Sequence, residues 1–118
     1  MESLQGKTAL ITGAGKGLGR AIAIALAQEG VHIGLMARTE EDLQKVAAEL
    51  APYHVKTAVA TADVSDINAV NQAVSSIKAT LGNIDILVNN AGISSFGSFM
   101  ELDPERWEQI VKVNLFGP

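Results

Sequence analysis

Short apolar runs of β character alternate with runs of helical period along this 118-residue chain, and that alternation constrains the fold more than any other feature. A strand, a helix and a second strand in succession fit together best when the strands run parallel and the helices cover the sheet. The chain is therefore expected to be α/β, with a doubly wound parallel sheet. Residues 7–12 (KTALIT) read as a buried first strand, 31–37 (VHIGLMA) as a second, 55–62 (VKTAVATA) as a third and 84–88 (IDILV) as a fourth. A helix opening near Gly17 carries Leu18, Ala21, Ile22, Ala25 and Leu26 at i, i+3, i+4, i+7 and i+8, and Gly30 suits a left-handed cap at its end. Thr39, with Asp42 three residues on, resembles a capping box for a second helix that buries Leu43, Val46, Ala47 and Leu50 and stops at Pro52. Ser65 is expected to cap a third helix, which buries Ile67, Val70, Val74, Ile77 and Leu81 and closes at Gly82. Asp103 and Pro104 then supply both start signals of a further helix. With that helix barely begun at Pro118, residues 1–118 are expected to be the N-terminal part of a single larger domain whose remainder is absent.

Composition removes several classes of function. Nine Lys and Arg against thirteen Asp and Glu leave a net charge of −4, which gives no basic field for a nucleic-acid backbone. The chain has no cysteine and only two histidines, His32 and His54, so neither disulfides nor a structural metal site is expected. Residues 21–27 form the longest apolar run, far short of the roughly 20 residues that span a bilayer. With no secretion-type N-terminus either, the expectation is a cytoplasmic protein without nucleic-acid or membrane partners.

The turn after the first strand carries the chemistry. Residues 12–19 (TGAGKGLG) space Gly13, Gly17 and Gly19 as G-x-x-x-G-x-G. Amides at a helix start lack intrahelical partners and sit at the positive end of the helix dipole, so a glycine turn there admits a pyrophosphate to the bare backbone. Glycine equally serves a plain tight turn with close helix-to-strand packing. The pattern is not that of a phosphate loop, because Lys16 precedes Gly17 and no Gly-Lys-Ser/Thr occurs, which sets aside kinases and ATPases.

About 20 residues past such a turn, a carboxylate holds the ribose 2′-hydroxyl of NAD, whereas a basic residue accommodates the 2′-phosphate of NADP. Here the second strand ends at Ala37 and Arg38, with no acid before Glu40. Guanidinium binds phosphate in a bidentate way and a carboxylate would repel it, so NADP is favoured, and Lys16 offers a second positive charge. A solvated surface charge is the plain alternative for Arg38. An S-adenosylmethionine-dependent methyltransferase shares the glycine turn but wants an acid where Arg38 stands. A noncatalytic nucleotide-binding module remains an alternative from another class.

Taken together, the TGxxxGxG turn, the Asp63–Val64 pair after strand three, the Asn89-Asn90-Ala91-Gly92 tetrapeptide after strand four and Asn114 in Lys112-Val113-Asn114 resemble the short-chain dehydrogenases/reductases in order and spacing. Within that family the chain is most similar to bacterial 3-oxoacyl-[acyl-carrier-protein] reductases of fatty acid biosynthesis. The resemblance implies a Rossmann-like sheet of order 3-2-1-4 and an NADP-dependent oxidoreductase that reduces a small-molecule or acyl-carrier-bound ketone. It also implies assembly as a homotetramer. By the same resemblance, Gly13, Gly15, Lys16, Gly17, Leu18 and Gly19 line the pyrophosphate and adenosine side, Arg38 takes the 2′-phosphate, and Asp63 and Val64 meet the adenine. Asn90, Ala91 and Gly92 pass along the cofactor. Asp63 can also simply end a strand, and Asn-Asn-Ala-Gly is a good turn in its own right.

Asn114 falls in an apolar stripe with Trp107, Ile110, Val111 and Leu115, so its amide needs partners. It is either a core Asn bonded to backbone or, as the resemblance implies, the catalytic residue that helps hold a proton-relay water. The family's Ser and Tyr-x-x-x-Lys do not occur in the chain. Tyr53 is the one tyrosine, and Thr57 stands four residues after it. Without a proton donor for the nascent alkoxide, residues 1–118 alone are expected to be inactive.

Overall fold

A computed structural model describes residues 4–63 and 65–89. Four parallel strands form one sheet in the order β3-β2-β1-β4, where β1 is Thr8–Thr12, β2 is His32–Ala37, β3 is Thr57–Thr61 and β4 is Ile86–Asn89. The helices α1 (Gly17–Gln28), α2 (Glu40–Leu50) and α3 (Ile67–Leu81) connect them, and a short 3-10 turn, Ala51–Tyr53, follows α2. This is the parallel α/β sheet expected from the alternating runs, in the Rossmann-like order that the resemblance implies, with every strand within two residues of its expected ends. None of the described helices is long and apolar enough to cross a membrane.

Alternate residues of the central strands feed two cores. Ala9, Ile11, Ile33 and Leu35 face α1 and α2, where they join Ala23, Ala27, Leu43, Val46 and Leu50. Leu10 and Met36 face the opposite side, where they meet Val70, Ala73 and Ile77 of α3. Period-two alternation in the strands thus divides the helices between the two faces. At its lower end the sheet is fastened by side chains: Thr8 N–H donates to Asp85 Oδ2 at 3.0 Å, and Lys56 N–H donates to His32 Nδ1 at 3.0 Å.

Three local expectations need correction. The buried stripe of α1 is Gly19, Ala23 and Ala27, not the one that begins at Leu18, which is 52% exposed. Because α1 is apolar almost all round, its periodicity does not select a face; the small residues do, by letting the helix lie close to the sheet. Thr39 does stand at the N-cap of α2, but its side chain makes no cap bond. The cap of α3 is Asp66, whose Oδ1 accepts from the N–H of Asn68 and of Ala69 at 3.1 and 3.2 Å. Ser65 turns back to Asp63 instead. Gly30 and Gly82 follow α1 and α3 with φ of +81° and +84°, the stops that glycine was expected to supply.

A candidate dinucleotide cleft at the strand ends

The register sets Thr12 beside Met36 and Asn89, and Ala37 beside Thr61, so the four strands finish level with one another. The segments that leave β1, β2 and β3 at that edge are brought together, which is where open α/β sheets bind ligands. Backbone bonds hold the departing segments: Ala14 N–H donates to Met36 O at 3.2 Å and Ala62 N–H to Ala37 O at 3.0 Å. Between β1 and β4, the buried Thr12 hydroxyl donates to Asn89 Oδ1 at 3.1 Å. The first Asn of the NNAG tetrapeptide therefore ties the two strands together just before the chain leaves β4.

A cleft of about 460 Å³ opens at this edge, lined by Gly13, Gly15 and Lys16 from the glycine turn, Ala37, Arg38 and Thr39 after β2, Asp42 of α2, and Ala62, Asp63 and Ser65 after β3. The turn passes through Gly13 at φ +61° and reaches α1 through Gly17 at φ +60°, a left-handed conformation that other residues adopt only with strain. A Cβ on Gly17 would meet nothing within 4 Å, so open space lies above the start of the helix. Lys16 is the N-cap of α1 and makes no side-chain cap bond, leaving the first-turn amides to water or an anion.

Of the residues singled out in the sequence, Gly13, Gly15, Lys16, Arg38 and Asp63 line this one cleft. Gly17, Leu18 and Gly19 form the first turn of α1 beside it, Gly19 buried against the sheet and Leu18 outward. Val64, Asn90, Ala91, Gly92 and Asn114 lie outside the described residues, as do Asp103 and Pro104. Tyr53 sits at the far end of α2 from the cleft, its hydroxyl accepting from Gln28 Nε2 at 3.4 Å.

Sequence reasoning missed Ala37, Thr39, Asp42, Ala62 and Ser65 as lining residues. The sequence spacing assigns Asp42 to helix capping, but its half-buried side chain stands against the glycine turn. A Cβ built on Gly15 would come within 2.9 Å of Asp42 Cβ. Gly15 is thus a close-approach glycine between the turn and α2, a reason distinct from ligand access. Ser65 donates to Asp63 Oδ1 from its N–H at 2.9 Å and its hydroxyl at 2.7 Å. Those bonds, with a smaller contribution from Arg38, hold the Asp63 carboxyl below the usual carboxylate range. Arg38 is exposed and enters neither of the ion pairs among the described residues, Arg20–Glu49 and Lys45–Glu41.

Known proteins share this arrangement. The family model for short chain dehydrogenases matches residues 7–118. A short chain dehydrogenase/reductase of Macrophomina phaseolina, dpmpG, is 41% identical over 98% of this chain and 67% of its own length. The 3-oxoacyl-[acyl-carrier-protein] reductase FabG of Staphylococcus aureus is 34% identical over 94% of this chain and 46% of its own length. Among solved structures, the L-sorbose reductase of Gluconobacter frateurii, complexed with NADPH and L-sorbose, superposes with a TM-score of 0.73 at 31% identity. That match covers 98% of this chain and 49% of the reductase. The chain thus spans about half to two thirds of the proteins it matches. Sheet order, glycine turn and the match along residues 7–118 agree, and the chain belongs to the short-chain dehydrogenase family.

Proposed function

We propose that the protein carrying this chain is an NADP-dependent oxidoreductase that reduces a ketone, with a 3-oxoacyl thioester as the substrate to try first. The observation that carries this reading is the placement of Arg38 and Lys16 in the same cleft as the glycine turn. The fit is chemical: a left-handed glycine turn, uncapped first-turn amides and two cations at one strand edge match a diphosphate with a further phosphate on its ribose. When bound, NADPH supplies the hydride. In this reading the amides of residues 17–19 hold the diphosphate and the Arg38 guanidinium forks onto the 2′-phosphate. Asp63, kept ionised and fixed by Ser65, and Val64 border the adenine. Asn90, Ala91 and Gly92 run alongside the cofactor, and Asn114 holds the water of a proton relay.

Two relatives support the finer details: the Gluconobacter reductase is complexed with NADPH, and the Staphylococcus protein is a 3-oxoacyl-[acyl-carrier-protein] reductase. Residues 1–118 would then be the front of one dinucleotide-binding domain in a cytoplasmic homo-oligomer, a tetramer by family resemblance. The test is consumption of NADPH by the full-length protein against a panel of ketones that includes 3-oxoacyl thioesters. Turnover of at least one panel member, faster with NADPH than with NADH, is the expected result; no turnover of any member, or a preference for NADH, contradicts the proposal.

A further inference from the structure

We infer that Asp42 opposes the phosphate-binding cations of the cleft and so sets how strongly the protein prefers a 2′-phosphorylated cofactor. This deepens the NADP reading above and rests on it. The observation is a charge balance. Among the described lining residues Lys16 and Arg38 are the cations, and the carboxylates of Asp42 and Asp63 stand in the same cleft and offset part of their attraction for a phosphate dianion.

The two carboxylates are not equivalent. Asp63 is engaged, accepting both Ser65 bonds. Asp42 is half-buried in the first turn of α2, four residues after Arg38, and its Cβ lies where a side chain on Gly15 would have to go. Its neighbours in that turn, Glu40 and Glu41, are exposed and do not line the cleft; Glu41 pairs with Lys45 at 3.7 Å along the helix. Asp42 is therefore the acid of α2 whose charge is held at the cleft wall. Helix formation does not require it there, since Glu40 and Glu41 already place negative charge at the positive end of the helix dipole.

A unit charge several ångströms from a phosphate dianion, in a partly solvated cleft, changes affinity by roughly three- to tenfold. The test is calorimetric titration of the full-length protein and its variants with 2′,5′-ADP and with 5′-AMP, probes that differ by the ribose phosphate. Asp42→Asn is expected to tighten 2′,5′-ADP by about three- to tenfold and to leave 5′-AMP within about twofold, with the gain shrinking as salt is raised. Asp42→Ser, which removes the same charge with a smaller side chain, is expected to do likewise. Glu41→Gln, which removes a charge from the same turn outside the cleft, is expected to move the ratio of the two affinities less than about twofold.

Two outcomes would overturn the inference: a ratio that neither Asp42 variant moves toward 2′,5′-ADP, whether because both probes change equally, neither changes or the shift runs the other way, or a shift with Glu41→Gln as large as with Asp42→Asn. The proposed function is read separately, in the unaltered protein. Equal wild-type affinities for the two probes would count against Arg38 as a phosphate ligand, whereas the Asp42 result is the ratio between variant and wild type.

Discussion

Replacing Gly34 with valine is expected to lower the unfolding free energy of the protein by about 3 kcal/mol, toward the upper end of what overpacking costs. Gly34 lies in the middle of β2 and faces α3. A Cβ there would stand 2.6 Å from Ile77 Cγ2 and 3.5 Å from both Ile77 Cδ1 and Leu10 Cδ1. Neither neighbour has anywhere to go, because Ile77 is fully buried and Leu10 nearly so. A strand would ordinarily gain from valine in place of glycine, by up to about 1 kcal/mol, so a net loss isolates the contact with α3.

The same contact gives a sharper test. Ile77→Ala alone should cost about 2–5 kcal/mol through the cavity it leaves. Combined with Gly34→Val, the two losses should fall short of additivity by about 1–3 kcal/mol, since the added methyls occupy the vacated space. Denaturant unfolding of the four proteins measures this. Full additivity, or a Gly34→Val variant as stable as wild type, would mean that α3 does not lie on β2 as described.

The second large effect concerns selectivity rather than stability. Arg38→Asp is expected to shift the ratio of NADPH to NADH affinity by on the order of 10²-fold toward NADH. A charge-assisted hydrogen bond is worth about 1.5–3 kcal/mol, each 1.4 kcal/mol being tenfold, and like-charge repulsion adds to the loss. The new carboxylate would also meet the ribose 2′-hydroxyl in the manner of NAD sites. Arg38 is exposed and outside the ion pairs of the described residues, so melting temperature should barely move. Titration of both cofactors by fluorescence measures the ratio; an unchanged preference would remove Arg38 from the site.

Much of the fold is legible in the chain because strand and helix periods alternate and the turns carry decisive glycines. The 3-2-1-4 order came with the family resemblance, and the strand pairing agrees with it. What resisted reading has a common physical cause. In α1 nearly every position is apolar, so the choice between the Leu18 stripe and the Gly19, Ala23 and Ala27 stripe depends on how near the sheet lies. Thr39 and Asp42 have the spacing of a capping box, but spacing is indifferent to whether a cleft lies beside the helix start. At Ser65 and Asp66, two residues equally able to cap stand side by side, and hydrogen bonding to Asp63 decides which of them does so. Local sequence carries local structure; the neighbours of Asp42 across the cleft are a tertiary fact.

The central claim is that a diphosphate rests on the start of α1 while Arg38 takes the ribose phosphate. Diffraction from crystals of the full-length protein grown with NADP tests it most directly. The account predicts diphosphate density against the backbone amides of residues 17–19 and the 2′-phosphate within hydrogen-bonding distance of the Arg38 guanidinium. A diphosphate bound away from that turn, or a 2′-phosphate pointing into solvent with Arg38 turned aside, would contradict it.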